Sequence, residues 1–154
     1  MIVYRISKTK HIRDLSGTGA KLFGGRWNEK GTPLINTSGT ISLAILESLV
    51  HFPIHLAPTD MSLAKINIPD ALKNSVTELN SFGKLPTSWR ENPPTLETQQ
   101  FIKKWIGEKA SLILKVPSAI IPTEYNYVIN PAHRDIRLIT IESTSVFSFD
   151  NRLF

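Results

Sequence analysis

The last third of the chain limits its fold most. Ser111 to Val116, Tyr127 to Asn130, Leu138 to Glu142 and Val146 to Phe149 read as short strands separated by Pro, Asn and Ser turns. Further strands are expected at Ile2 to Ile6, at Thr32 to Thr37 around Leu34-Ile35, and at Met61 to Ile68. The last alternates, with Met61, Leu63, Lys65 and Asn67 on one side and Ser62, Ala64, Ile66 and Ile68 on the other. Two stretches have helical spacing. One runs from about Thr40 to His51 with Ser38 as its cap, Ile41, Ile45 and Leu49 on one face, Leu46 and Val50 beside it, and Pro53 as its end. The other starts at Thr95, with Glu97 in its first turn, Phe101, Ile102, Trp105 and Ile106 on its apolar face and Gly107 as its stop. Ser7 to Asn28 reads as a long loop or short helix, and Asp70 to Pro94 as irregular. Strands outnumber helices and do not alternate with them, which favours an α+β fold of mixed or antiparallel strands over a parallel doubly wound sheet.

A chain of 154 residues can bury about two thirds of its unfolded surface, so residues 1–154 are read as one compact domain. A hydrophobic fraction of 41% and a charged fraction of 20% exclude a disordered chain. With no cysteine there are no disulfides, thiolate nucleophiles or Cys-containing zinc sites. The opening Met1-Ile2-Val3-Tyr4-Arg5 lacks the apolar core of a signal peptide, and no apolar run approaches the ~20 residues of a membrane span, so a soluble cytoplasmic protein is expected. The net charge of +5 is dispersed along the chain. It suits an anionic ligand or an acidic partner equally, and no basic block suggests direct nucleic-acid binding.

Chemistry concentrates in Phe23-Gly24-Gly25-Arg26-Trp27-Asn28-Glu29-Lys30-Gly31. Adjacent glycines permit positive φ and close approach of backbone to a ligand. Arg26 can grip a phosphate or carboxylate with two parallel hydrogen bonds, and Trp27 offers a flat surface to a ring or ribose. Against this stand a plain turn, a surface cation and a core tryptophan. Neither a Walker loop nor a Rossmann fingerprint is present. Glu47 lies in the apolar run Ala44 to Val50, where it is either a half-buried acid needing a partner or a solvated residue on the outer face; periodicity leaves both open. Ser118 lacks a nucleophile-elbow context and can cap a turn or hydrogen-bond a ligand or the acid. His51 and His55 have helical ligand spacing, but Pro53 breaks the helix between them and no third ligand is evident, so no metal is expected. His133 is expected to cap a turn or orient a neighbour.

These residues resemble the RES domain, the toxin half of RES/Xre toxin–antitoxin pairs. The resemblance rests on Val3-Tyr4-Arg5-Ile6, Gly24-Gly25-Arg26-Trp27-Asn28, Gly31-Thr32-Pro33, Thr37-Ser38, Leu43-Ala44-Ile45-Leu46-Glu47, Leu85-Pro86 with Trp89-Arg90, Val116-Pro117-Ser118 and Asn130-Pro131-Ala132-His133, in order over nearly the entire chain. It implies an ADP-ribosyltransferase-like fold and an enzyme that consumes NAD as its substrate, with no further cofactor, by cleaving the nicotinamide–ribose bond as a glycohydrolase or phosphorylase. ADP-ribosyl transfer to protein is the alternative outcome. The catalytic set it implies is Arg26, Glu47 and Ser118, with Arg5, Trp27 and Asn36 in substrate binding. The arginines would hold the pyrophosphate, and the partner would be an Xre-type antitoxin carrying a helix-turn-helix. Asn36 stands where the family usually has tyrosine, and His133-Arg134 where it commonly has His-Pro. Asparagine hydrogen-bonds but cannot stack on nicotinamide, so altered affinity or rate is expected. The competing reading is a non-enzymatic module that holds a nucleotide or an acidic partner.

Overall fold

The computed structural model describes residues 1–53, 56 and 58–153. Among them are seven strands: β1 (Ile2–Lys8), β2 (Ile35–Ser38), β3 (Met61–Asn67), β4 (Val76–Glu78), β5 (Ile113–Pro117), β6 (Tyr125–Ile129) and β7 (Thr140–Phe147). Four α-helices accompany them: α1 (Thr18–Phe23), α2 (Ile41–Leu49), α3 (Leu79–Phe82) and α4 (Leu96–Glu108). The strands form one sheet in the order β4-β5-β6-β2-β1-β3-β7, antiparallel throughout except for the β4–β5 pair. The expected α+β architecture is therefore present.

The sheet is nearly split in two. β1 pairs with β3 along its whole length, and β2 pairs with β6 along its own, yet β1 and β2 meet only where Tyr4 opposes Ser38. Because side chains alternate along a strand, cross-strand partners share a face. Ser38 opposes Asn126, and Asn126 opposes Val116, so Tyr4, Ser38, Asn126 and Val116 lie on one face of the sheet. Leu114 and Val128 continue that face and pack under Ile102, Trp105 and Ile106 of α4. The other face carries Val3, Ile35, Ala64, Ile66, Ile113 and Ile129, closed by Ile12, Leu72 and Ile139. Ile102 and Trp105 are fully buried. Ile102→Ala would cost about 2–5 kcal/mol through lost transfer energy and the cavity left behind.

Several boundaries differ from the sequence reading. Ser38 is the last residue of β2, and the cap of α2 is Thr40, whose hydroxyl accepts from the Leu43 amide at 3.1 Å. The helix buries Leu43 and Ala44, whereas Ile41 and Val50 point outward, because the sheet lies on the Leu43 side. Helix α4 is capped by Thr95 as expected, but runs through Gly107 and ends where Lys109 takes the left-handed conformation at φ 50°. Asp70 to Pro94 is less irregular than its composition suggests. It holds the edge strand β4, the short helix α3 and a 3-10 turn at Thr87–Arg90. The two strands expected at the end of the chain are one, β7, since Ser143-Thr144-Ser145 contains no residue that breaks pairing, and the ladder with β3 continues through it after a register shift at Glu142.

Candidate functional site

A cavity of about 1090 Å³ opens beside the β1–β2 divergence, lined among others by Arg5, Arg26, Asn36, Glu47, Arg90 and Asn126. Its volume is of the size that small-molecule sites occupy. Glu47 sits one helical turn after Leu43 and Ala44, which places it on the packed side of α2 and half-buried. The solvated alternative is thereby set aside.

Two side chains hold Glu47, and each can only donate to it. Ser118 is fully buried just after β5 and gives its hydroxyl proton to Glu47 Oε1 at 2.7 Å. Its oxygen accepts from the amides of Ile120 and Ile121 at 3.1 and 3.0 Å. With both lone pairs engaged, the proton is directed at the acid. Asn126 Nδ2 donates to the same Oε1 at 2.5 Å, while its Oδ1 accepts from Ser38 Oγ at 2.7 Å. The carboxylate only accepts and so fixes which end of the amide faces it, and the Ser38 hydroxyl donates to the other end. Both donors converge on Oε1, and among the described residues Oε2 makes no hydrogen bond, which leaves it for a ligand. Ser118 thus fills both roles read from sequence, turn cap and partner of the acid.

Arg26 is carried on a tight turn. Gly24 ends α1 at φ 70°, a conformation strained for any residue with a Cβ, and its amide closes on the Ala20 carbonyl at 2.8 Å. The Gly25 amide then donates to the Asn28 carbonyl at 2.9 Å, and the buried Asn28 amide donates to the carbonyls of Ala20, Glu29 and Thr32. Gln99 of α4 braces the turn through the Gly25 carbonyl at 2.8 Å. From this base Arg26 Nη1 donates to the carbonyls of Trp89 and Glu91 at 2.8 and 2.7 Å. Burial holds its guanidinium below the ordinary arginine value, the charge of Glu47 opposes that shift, and the charge of Arg90 adds to it.

Trp27 lines the cavity, but its ring is stacked on Trp89 at 5.9 Å and 15° and is only 6% exposed. The core role that the sequence reading weighed against a ligand platform is the one this packing supports. Asn36 is exposed in β2 on the same face as Ser38, and its side of the strand borders the cavity. Arg5 opposes Ala64 and so projects from the opposite face, reaching the cavity at the split. Its guanidinium donates to the carbonyls of Asp14 and His11 at 2.5 and 3.3 Å, and burial lowers its pKa against the counter-effect of Asp14.

Asn126, Ser38 and Arg90 are site residues to which the sequence reading gave no role there. Asn126 fell outside a strand expected to begin at Tyr127; its signal is a lone amide opposite the Thr37-Ser38 pair once β6 is extended to Tyr125. His133 caps a turn as expected, accepting from the Asp135 amide at 3.2 Å. His51 is exposed at the cavity border, and His55 lies outside the described residues.

The fold and site together define a single-domain α+β protein with an acid-centred cavity at a split in its sheet. The chain belongs to the RES domain family, whose model matches residues 2–150. It is 37% identical over 155 residues to Toxin Res of Photorhabdus laumondii subsp. laumondii, covering 99% of this chain and 97% of that protein. It is also 35% identical over 147 residues to the Prs ADP-ribosylating toxin of a Sphingobium species, covering 96% and 91%. A chain of the crystal structure of the M. tuberculosis MbcT–MbcA toxin–antitoxin complex shares the fold, with a TM-score of 0.70 at 18% identity over 96% of this chain and 84% of that one.

Proposed function

We propose that this protein is the toxin of a toxin–antitoxin pair and that it destroys NAD by breaking the nicotinamide–ribose bond. Kinship with proteins named Toxin Res supports the first part. The observation that carries the second is Glu47, which lines a cavity that Arg26 shares and is fastened through Oε1 alone by Ser118 and Asn126. Breaking the bond leaves positive charge on the ribose and releases neutral nicotinamide. A carboxylate fixed in advance stabilises that charge without having to reorganise as it develops. Its free oxygen accepts from a ribose hydroxyl and orients the sugar. Water then adds at the ribose carbon and sheds a proton to solvent, giving ADP-ribose; phosphate adding at the same carbon gives its 1-phosphate. Asn36 offers hydrogen bonds but no stacking surface to the nicotinamide, as its position beside the cavity permits.

NAD is here the substrate, and the controlling partner is an Xre-type antitoxin, through which any contact with DNA would run. The toxin would work in the cytoplasm; among the described residues no helix is long and apolar enough to cross a membrane. Incubating the antitoxin-free protein with NAD, with and without phosphate, and following free nicotinamide tests the reading. Nicotinamide release supports it, and the effect of phosphate names the acceptor. Intact NAD, under conditions where a related toxin is active, sinks it.

Transfer of ADP-ribose to a protein is a second reading, favoured by the similarity to the Prs ADP-ribosylating toxin. Label from adenine-tagged NAD retained on a protein after denaturation would support it.

A further inference from the structure

Residues 87–94, between α3 and α4, lie along the cavity as a strap. Trp89 anchors it by stacking on Trp27, and Arg26 holds it by donating to the carbonyls of Trp89 and Glu91, on either side of Arg90. Arg90 in turn reaches to the loop after Ser118, where its Nε donates to the Ala119 carbonyl at 2.9 Å. This fastening engages one nitrogen of each guanidinium. Among the described residues neither Arg26 nor Arg90 forms an ion pair, and both line the same cavity. Two cations are therefore fastened near one another by neutral carbonyls, and the charge of Arg90 works against that of Arg26, which Glu47 favours. Such an arrangement is relieved by an anion with several acceptor oxygens, which a guanidinium binds through paired hydrogen bonds.

We infer that Arg90 and Arg26 form a phosphate-binding subsite at the strap, with Arg90 contributing its two terminal nitrogens. The phosphate comes from one of two sources, the diphosphate of the nucleotide or a free phosphate poised as acceptor. The choice of a nucleotide rests on the reading of an NAD-consuming toxin; the pairing of the two cations does not. Arg5 is differently placed, since its guanidinium is spent on the carbonyls of the loop at residues 11–14.

The test uses the full chain carrying Glu47→Gln, so that nothing is turned over. Calorimetric titration with ADP-ribose and, separately, with inorganic phosphate is carried out on this protein and on the same chain with Arg90→Met or Arg90→Lys, each shown to keep its melting temperature. A loss of about tenfold or more for ADP-ribose in Arg90→Met, partly restored in Arg90→Lys, assigns the subsite to the nucleotide diphosphate. The same pattern for inorganic phosphate alone assigns it to the acceptor. Lysine keeps the charge but cannot reproduce the Nε bond to Ala119, so equal losses in the two variants would place the role in fastening the strap and overturn the proposal. Unchanged binding of both ligands would overturn it too. If ADP-ribose fails to bind the protein with Arg90 intact while phosphate binds through Arg90, the NAD reading falls and the subsite stands; if neither ligand binds, both fall.

Discussion

The two sides of the cavity are built on opposite principles. On the α2–β6 side, Ser38, Asn126, Glu47 and Ser118 form a chain in which the serine hydroxyls and the asparagine amide have assigned partners, and only one carboxylate oxygen is left over. On the strap side, Arg26 and Arg90 are fastened by backbone carbonyls that do nothing to neutralise their charge. A saturated network fixes a group in place, whereas cations without an ion-pair partner can take a counter-charge from a ligand. The contrast separates a rigid side suited to the reacting sugar from a charged side suited to holding a phosphate.

Breaking the rigid side should have the largest effect. Ser118→Ala and Asn126→Ala each remove a hydrogen bond to a carboxylate, about 1.5–3 kcal/mol, so each should lower kcat/KM for NAD by about 10–100-fold. Because both act on the same oxygen, the double variant should lose less than the product of the two; a strictly multiplicative loss would show that they do not act together through Glu47.

Loosening the charged side comes next. Trp89→Ala removes the ring stacked on Trp27 and should cost about 2–3 kcal/mol of stability, less than a fully buried tryptophan, with a lowered midpoint in urea. The strap should open with it, shown by raised proteolytic sensitivity at residues 87–94. An unchanged midpoint would mean that the stack carries no weight.

Asn36→Tyr sharpens the comparison in the other direction by adding an aromatic face beside the split. An aromatic contact of about 0.5–1.5 kcal/mol predicts a KM for NAD lower by about 2–10-fold, read from initial rates. A higher KM would show that Asn36 acts through its hydrogen bonds.

The smallest effect lies outside both sides. The Ser16 hydrogen bond is the main influence that depresses the Asp14 carboxyl below its ordinary value. A depressed folded-state pKa gives stability that is present above the unfolded carboxylate value and fades as pH falls through the folded one. Asp14 is only partly buried, so screening keeps the gain to a few tenths of a kcal/mol. Asp14→Asn should narrow the gap in melting temperature between neutral and acidic pH slightly; a wider gap would contradict the sign.

What could be read from the sequence followed local rules. The alternation of Met61 to Ile68 predicted β3 because both faces of an inner strand repeat with a period of two, and Thr95 announced α4 through its cap. The burial of Glu47 could not be read this way. Helix α2 is apolar on nearly every side, and its inward face is chosen by where β1 and β2 lie rather than by its own pattern. The stacking of Trp27 on Trp89 joins segments far apart in sequence, and nothing local in either announces it. Asn126 was missed by a boundary, since the strand continues two residues further than its apolar part. The family resemblance picked out Glu47 and Ser118; the geometry adds that they touch, and that a third residue touches with them.

The central claim is that Glu47, so held, drives cleavage of NAD, and nicotinamide release by the full chain and its Glu47→Gln variant tests it most directly. The account predicts release by the first and a loss of about a thousandfold or more in the second, while the affinity for ADP-ribose stays within a few-fold. Equal release by the two proteins would contradict it.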